Sequence, residues 1–295
     1  MPEWSVVTST VVLTAYSQEG RINEAELLFH RMPTSDVVST TAMLSAYAQS
    51  GHILKAKRLF ERMPEWNLVS WNVMLAAHTQ RFHSLEAKSL FKSMPVVDLV
   101  SWNVILNGSS LEEARQVFEV MPERNIVSWN TILSSFAQHG HLEEAKQIFS
   151  AMPEHDLKAW NSILSGSANF ENFREILRLF GAMPARDLIS WTVLLAANFQ
   201  NGFVDRATKI LERMEQRDLV AWSVMLAGLA HSGYFHRAIE TFHSIKTTST
   251  PDETCFVLAL LACGHAGRVY DGYAFCTRRS RADFHSSYLS EPRRS

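Results

Sequence analysis

The stretch IVSWNTILSSFAQHGHLEEAKQIFSAMPEHD, residues 126–156, decides the fold. Trp129, Ile132, Leu133 and Phe136 fall at i, i+3, i+4 and i+7, one face of a helix. Ser128 is expected to cap its start, because a hydroxyl can accept from the orphan N–H groups of a first turn. Gly140 is expected to end it with a positive φ. Leu142, Ala145, Ile148, Phe149 and Met152 then form the apolar face of a second helix. Pro153 stops that helix, since it has no N–H to donate.

The same text recurs along the chain. Met1, Met32, Met63, Met94, Met121, Met152, Met183 and Met214 are spaced 31 residues apart, with a single step of 27. Trp71, Trp102, Trp129, Trp160, Trp191 and Trp222 keep the same phase. The small Ala145 recurs as Ala25, Ala56, Ala87, Ala114, Ala207 and Ala238, where it lets two helices approach; Ile176 is the exception. One hairpin cannot bury its own apolar faces, but stacked hairpins can. The period therefore predicts an all-α fold, a right-handed α-solenoid of helix-turn-helix repeats. The Trp phase, shared with Ile and Leu, places those rings in the inter-repeat core rather than on a base-stacking surface.

The expected array covers residues 1–275, in units near 6–36, 37–67, 68–98, 99–125, 126–156, 157–187, 188–218, 219–252 and a partial 253–275. The unit 99–125 is four residues short, with Asn107-Gly108 in place of the last turn of its first helix. That predicts a shortened helix and a local offset in the array. Residues 276–295, rich in Arg and Ser, lose the pattern and are expected to be a disordered tail. Met1 falls on the repeat Met, so the chain is expected to be a piece of a longer one lacking a leader and C-terminal domains.

Composition narrows the function classes. The chain of 295 residues has 28 Lys+Arg against 30 Asp+Glu, so bulk charge announces no nucleic-acid binder. No apolar run reaches the ~18 residues of a membrane span. Three cysteines, Cys255, Cys263 and Cys276, exclude a disulfide framework for most of the chain. His141-Leu-Glu143 has the H-x-E spacing of a zinc deaminase, but it lies in a repeat and no C-x-x-C accompanies it. His231 and His236 are read as surface residues, and Asn107-Gly-Ser109 as an accidental sequon. No catalytic residue, metal site or cofactor is expected.

With Asn125-Ile-Val-Ser-Trp-Asn130, Gly140-His-Leu-Glu-Glu-Ala145 and the 31-residue period on hand, the sequence resembles the pentatricopeptide repeat family. More narrowly, it is similar to the plant-type branch that mixes long and short motifs. Thr254-Cys-Phe-Val257 and Leu261-Ala-Cys-Gly-His-Ala-Gly267 resemble the family's long motif. The resemblance implies sequence-specific binding of single-stranded RNA, one base per repeat, in a mitochondrion or chloroplast. It implies a monomer serving C-to-U editing or RNA processing beside a separate deaminase or other factor, with no enzyme activity of its own.

In that family the base is read by the fifth residue of a unit together with the last. Here these pair as Thr10 with Asp36, Thr41 with Asn67, Asn72 with Asp98 and Asn103 with Asn125. The series continues as Asn130 with Asp156, Asn161 with Asp187, Thr192 with Asp218 and Ser223 with Asp252. The second residue wedges between bases: Val7, Val38, Val69, Val100, Val127, Ile189 and Val220, with Lys158 departing. The family's pairing rules then give the RNA, 5′ to 3′, as G, A, U, C or U, U, U, G, G. Val257 occupies the reading position of the ninth unit and reads no base.

The residue chemistry agrees with that implication. An amide offers donors and an acceptor to a pyrimidine edge, and a smaller hydroxyl leaves room for a purine. Two local roles compete: Asn, Ser and Asp also favour helix caps and turns. A protein-binding scaffold of tetratricopeptide type is the alternative function, disfavoured by a period of 31 rather than 34. An incomplete gene product is another.

Overall fold

The computed structural model describes residues 5–32, 34–80, 84–170 and 173–268. Among them are 17 helices and no strand. The first helices of successive repeats are α1 (Val6–Gln18), α3 (Val37–Gln49), α5 (Leu68–Gln80), α7 (Leu99–Asn107), α9 (Ile126–Gln138), α11 (Leu157–Phe170), α13 (Leu188–Gln200), α15 (Leu219–His231) and α17 (Glu253–His265). The second helices are α2 (Ile22–Arg31), α4 (Ile53–Glu61), α6 (Ser84–Ser93), α8 (Leu111–Val120), α10 (Leu142–Ala151), α12 (Phe173–Ala182), α14 (Val204–Arg213) and α16 (Phe235–Thr248). The expected all-α repeat of hairpins is the observed fold. The expected tail, with Cys276, lies outside the described residues.

The helices divide between two compact units, Met1–Phe136 with Ser150–Glu154, and Ala137–Phe149 with His155–Ser295. In the first, α1 packs on α3, α3 on α5 and α5 on α7. In the second, α11 packs on α13, α13 on α15 and α15 on α17. Each unit is thus built on a layer of adjacent first helices. Within each unit, second helices pack on the first helices before and after them, as α2 does on α1 and α3, α4 on α3 and α5, α12 on α11 and α13, and α14 on α13 and α15.

The repeat positions explain this packing. Ala25, Ala56, Ala87, Ala114, Ala145, Ala207 and Ala238 are almost wholly buried, and Ile176 replaces them without exposure. Met63, Met94, Met121, Met152, Met183 and Met214 are buried at the ends of α4, α6, α8, α10, α12 and α14. The tryptophans are half-buried and meet a phenylalanine of the preceding second helix edge to face. Phe60–Trp71, Phe91–Trp102, Phe118–Trp129, Phe149–Trp160 and Phe180–Trp191 all have centroids within 5.0 Å. Such pairs add ~0.5–1.5 kcal/mol beyond the area they bury. They hold one hairpin to the next, as the Trp phase predicts.

A second contact closes five of the hairpins, and it is invisible in the repeat consensus. The penultimate residue of the repeat folds back on the second helix and donates to its terminal carbonyl. Trp66 Nε1 reaches Phe60 O at 2.9 Å, Arg124 Nε reaches Phe118 O at 3.0 Å and His155 Nε2 meets Phe149 O at 2.6 Å. Arg186 Nη2 reaches Phe180 O at 3.1 Å and Arg217 Nε reaches Leu211 O at 2.8 Å. The last carbonyls of a helix have no partner within it, so each bond satisfies an orphan acceptor. Arg124 and Arg186 also lie over the Phe118 and Phe180 rings, at 4.8 and 4.9 Å.

The short repeat behaves as its length dictates. α7 has 9 residues where α5 has 13. Its end passes so close to α5 that a Cβ at Gly108 would sit 2.3 Å from Thr79 Cβ. Only glycine fits there. Gly140, at φ 80°, ends the first helix of the reference repeat as expected. α16 is longer than its counterparts, 14 residues against 10 in α14, in keeping with the longer repeat 219–252.

Candidate nucleic-acid interface

The last residue of each repeat caps the next first helix. Asp36, Asp98, Asp187, Asp218 and Asp252 sit in extended backbone, and each side chain accepts from the N–H three residues on. Asn67, Asn125 and Asp156 do the same to Ser70, Ser128 and Ala159, at 2.8, 3.0 and 2.8 Å. Ser128 is therefore not the cap. It stands at the third helical position, and its Oγ accepts from the Asn125 N–H at 2.9 Å. The D/N-x-x-S spacing closes a reciprocal capping box, which reads the same from either end in sequence alone.

This local role draws protons off the carboxyls. Asp36 is held below the usual carboxylate range by the Ser39 N–H and the Ser39 hydroxyl. At Asp98 partial burial pushes upward, but bonds from Ser101 and Asn72 outweigh it. The Cys255 N–H and thiol lower Asp252. These capping groups are charged at neutral pH.

The fifth residues divide into two chemical kinds. The amides Asn72, Asn103 and Asn161 reach across to the cap of the next first helix. Asn161 Nδ2 donates to Asp187 Oδ2 at 2.8 Å, while Asp187 Oδ1 accepts from the Ser190 N–H at 2.9 Å. Asn72 Nδ2 donates to Asp98 Oδ1 at 3.2 Å, and Asn103 Nδ2 to Asn125 Oδ1 at 3.4 Å. The Oδ1 atoms of Asn103 and Asn161 are shielded and have no hydrogen-bond partner. Asn72 Oδ1 instead receives the Ser101 hydroxyl at 2.7 Å. Asn130 is buried on α9.

The hydroxyls stay with their own helix. Thr10, Thr41, Thr192 and Ser223 donate to the carbonyls of Val6, Val37, Leu188 and Leu219, at 2.6–2.8 Å. Each has one proton and has committed it. What remains toward a ligand is an acceptor oxygen. None of the fifth residues is a helix-start cap, so that local role belongs to the last residues alone.

In both units the second residues are exposed aliphatic side chains. Val7, Val38, Val69, Val100, Val127, Ile189 and Val220 range from 73% exposed at Val7 to 48% at Val127. Scattered exposed apolar residues are ordinary. The same position exposed in seven repeats is a surface held apolar. Lys158 is exposed at that position in its own repeat.

In the first repeat the structure brings these residues into one groove. Val7, Thr10, Asp36 and Val38 line a cleft of about 500 Å³ between α1 and α3. Its size suits a small planar ligand. Val7 and Val38 form walls, Thr10 and Asp36 contribute acceptors, and Gln18 adds an amide to the lining. Val11 and Thr14 of α1 also line it, and the sequence reading missed both. Their signal was available: Val11 is apolar yet lies off the Leu13 core face.

Comparison with known proteins agrees with this architecture. The family model for the PPR repeat matches residues 7–37, 38–68, 69–97, 127–157, 158–188, 189–219 and 220–247. These segments are displaced by one residue from the repeats numbered above, and they pass over the short one. Among solved structures, the pentatricopeptide repeat protein PPR10 from maize is similar at a TM-score of 0.59 and 19% identity, over 92% of this chain and 44% of that one. PPR10 in complex with an 18-nt psaJ RNA element is similar at a TM-score of 0.43 and 18% identity, over 94% of this chain and 49% of that one. The chain thus spans just under half the length of these relatives. None of the curated proteins compared matches it. The repeat model covers more than half of the sequence, and the chain belongs to the pentatricopeptide repeat family.

Proposed function

We propose that the chain binds single-stranded RNA sequence-specifically, one base per repeat, and supplies recognition to organellar RNA editing or processing whose chemistry a separate factor performs. The groove carrying Thr10, Asp36, Val7 and Val38 supports this reading. Aliphatic walls suit the faces of a base, and the acceptors between them suit its N–H groups. Thr10 offers only an acceptor, as does the ionised Asp36. A purine bearing N–H donors on its pairing edge fits that pair, which agrees with G. The amide pairs present a different edge, as a pyrimidine requires. The base-reading set remains Thr10, Thr41, Asn72, Asn103, Asn130, Asn161, Thr192 and Ser223 with their capping partners.

The test is a binding titration with the labelled oligonucleotide 5′-GAUUUUGG-3′. It is expected to bind more tightly than one whose four central pyrimidines are replaced by purines. Equal affinities would sink the base-reading proposal.

A further inference from the structure

The first-helix layer is nearly free of positive charge. Among the described first helices, from α1 to α17, Lys158 is the only Lys or Arg. The other described Lys and Arg residues lie on second helices and in loops, and Arg124, Arg186 and Arg217 of those loops are bound to helix carbonyls. Lys158 is exposed, and no carboxylate among the described residues pairs with it. It occupies the second position of its repeat, where seven other repeats expose Val or Ile.

Its register is that of a groove wall. Val7 and Val38 flank Thr10 and Asp36 in the cleft between α1 and α3. Lys158 and Ile189 stand at the same offsets from Asn161 and Asp187. The Asn161–Asp187 pair is hydrogen-bonded and sets a carboxylate beside that step. A lysine stem can cover an apolar face while its ammonium reaches outward to an anion.

We infer that Lys158 is a single backbone clamp: its ammonium neutralises an RNA phosphate next to the base read by Asn161 and Asp187, while its stem covers the face of that base. This rests on the proposed RNA-binding function and goes beyond it. Elsewhere the layer offers Asp caps and aliphatic walls, which take bases and repel phosphates. At this one step the strand is fixed by charge.

The experiment measures affinity of the full chain for 5′-GAUUUUGG-3′ across a salt series. Neutralising one phosphate on a single strand contributes ~0.7 to the slope of log K against log salt. K158V and K158M are expected to lose about that much slope, and K158R to keep it. Replacing the phosphates flanking the sixth base by neutral methylphosphonates is expected to flatten the slope for the parent chain and leave K158V unchanged. A K158V slope equal to the parent's, with base discrimination intact, would overturn the clamp. So would equal effects of methylphosphonates at every linkage. Should the parent chain fail to discriminate the pyrimidine-to-purine control, the RNA proposal itself falls, and the clamp with it. Circular dichroism of the variants should match the parent, since an exposed side chain is being changed.

Discussion

Thr10 with Asp36 and Asn161 with Asp187 occupy the same places in their repeats, yet they are built differently. The Thr10 hydroxyl bonds to Val6 O of its own helix and leaves Asp36 to cap α3 alone. Asn161 instead bonds across to Asp187, so one carboxylate caps α13 and holds the preceding repeat at once. In the first pair, recognition and stability rest on separate bonds. In the second they share an atom group. Exchanging a base-reading residue in this protein therefore also edits an inter-repeat contact where that residue is Asn72, Asn103 or Asn161.

The largest expected effect breaks the shared carboxylate. Asp36→Ala removes a cap and should cost ~1 kcal/mol. Asp187→Ala removes a cap and strands the buried Asn161 amide, so about 2–3 kcal/mol is expected. Urea unfolding of the two variants against the parent measures the gap. Equal losses would mean that the Asn161–Asp187 bond adds nothing.

Asn161→Thr sharpens the comparison by converting one kind of pair into the other. Base preference at the sixth position should move from U towards G by ~1–3 kcal/mol, by analogy with bidentate base contacts. Competition between two oligonucleotides differing at that base reads it directly. An unchanged preference would leave Asn161 only its structural bond.

The smallest effect is with pH. Asp36 and Asp98 have carboxyls lowered by their capping bonds. A group lowered in the folded state contributes its full stability above its unfolded pKa, ~3.9, and loses it as pH falls through the folded value. Thermal midpoints should be flat from neutral pH down to about 5 and fall below it. Asp36→Asn, which keeps an acceptor, should shrink that acid-side fall. A fall of the same size would assign the loss to other carboxylates.

Much of this was legible before any coordinates. The repeat length, the hairpin, the buried Ala and Met positions, the Trp core and the short α7 all follow from side-chain size and periodicity. Those properties survive in sequence because packing depends on residue type. Ser128 was misplaced because a D/N-x-x-S box contains two residues that can each cap, and only backbone angles decide between them. The split between hydroxyl and amide pairs was hidden for another reason. Thr10 can bond forward to a ligand or back to Val6 O, and composition does not choose. The groove residue Val11 recurs as Val73, Val104, Val193 and Val224, yet a recurring Val reads as core until the backbone shows that it lines a groove.

The fold-back contact that five repeats share has a consequence for how such a chain can change. An indole, a guanidinium and an imidazole all answer the same carbonyl, through Trp66, Arg124, Arg186, Arg217 and His155. The carbonyl asks only for a donor on a side chain of suitable reach. Mutation can therefore drift widely at that site while each hairpin still closes and the next one starts in step. A duplicated hairpin arrives with its own closing contact already included, so the array can lengthen one copy at a time without new contacts being invented.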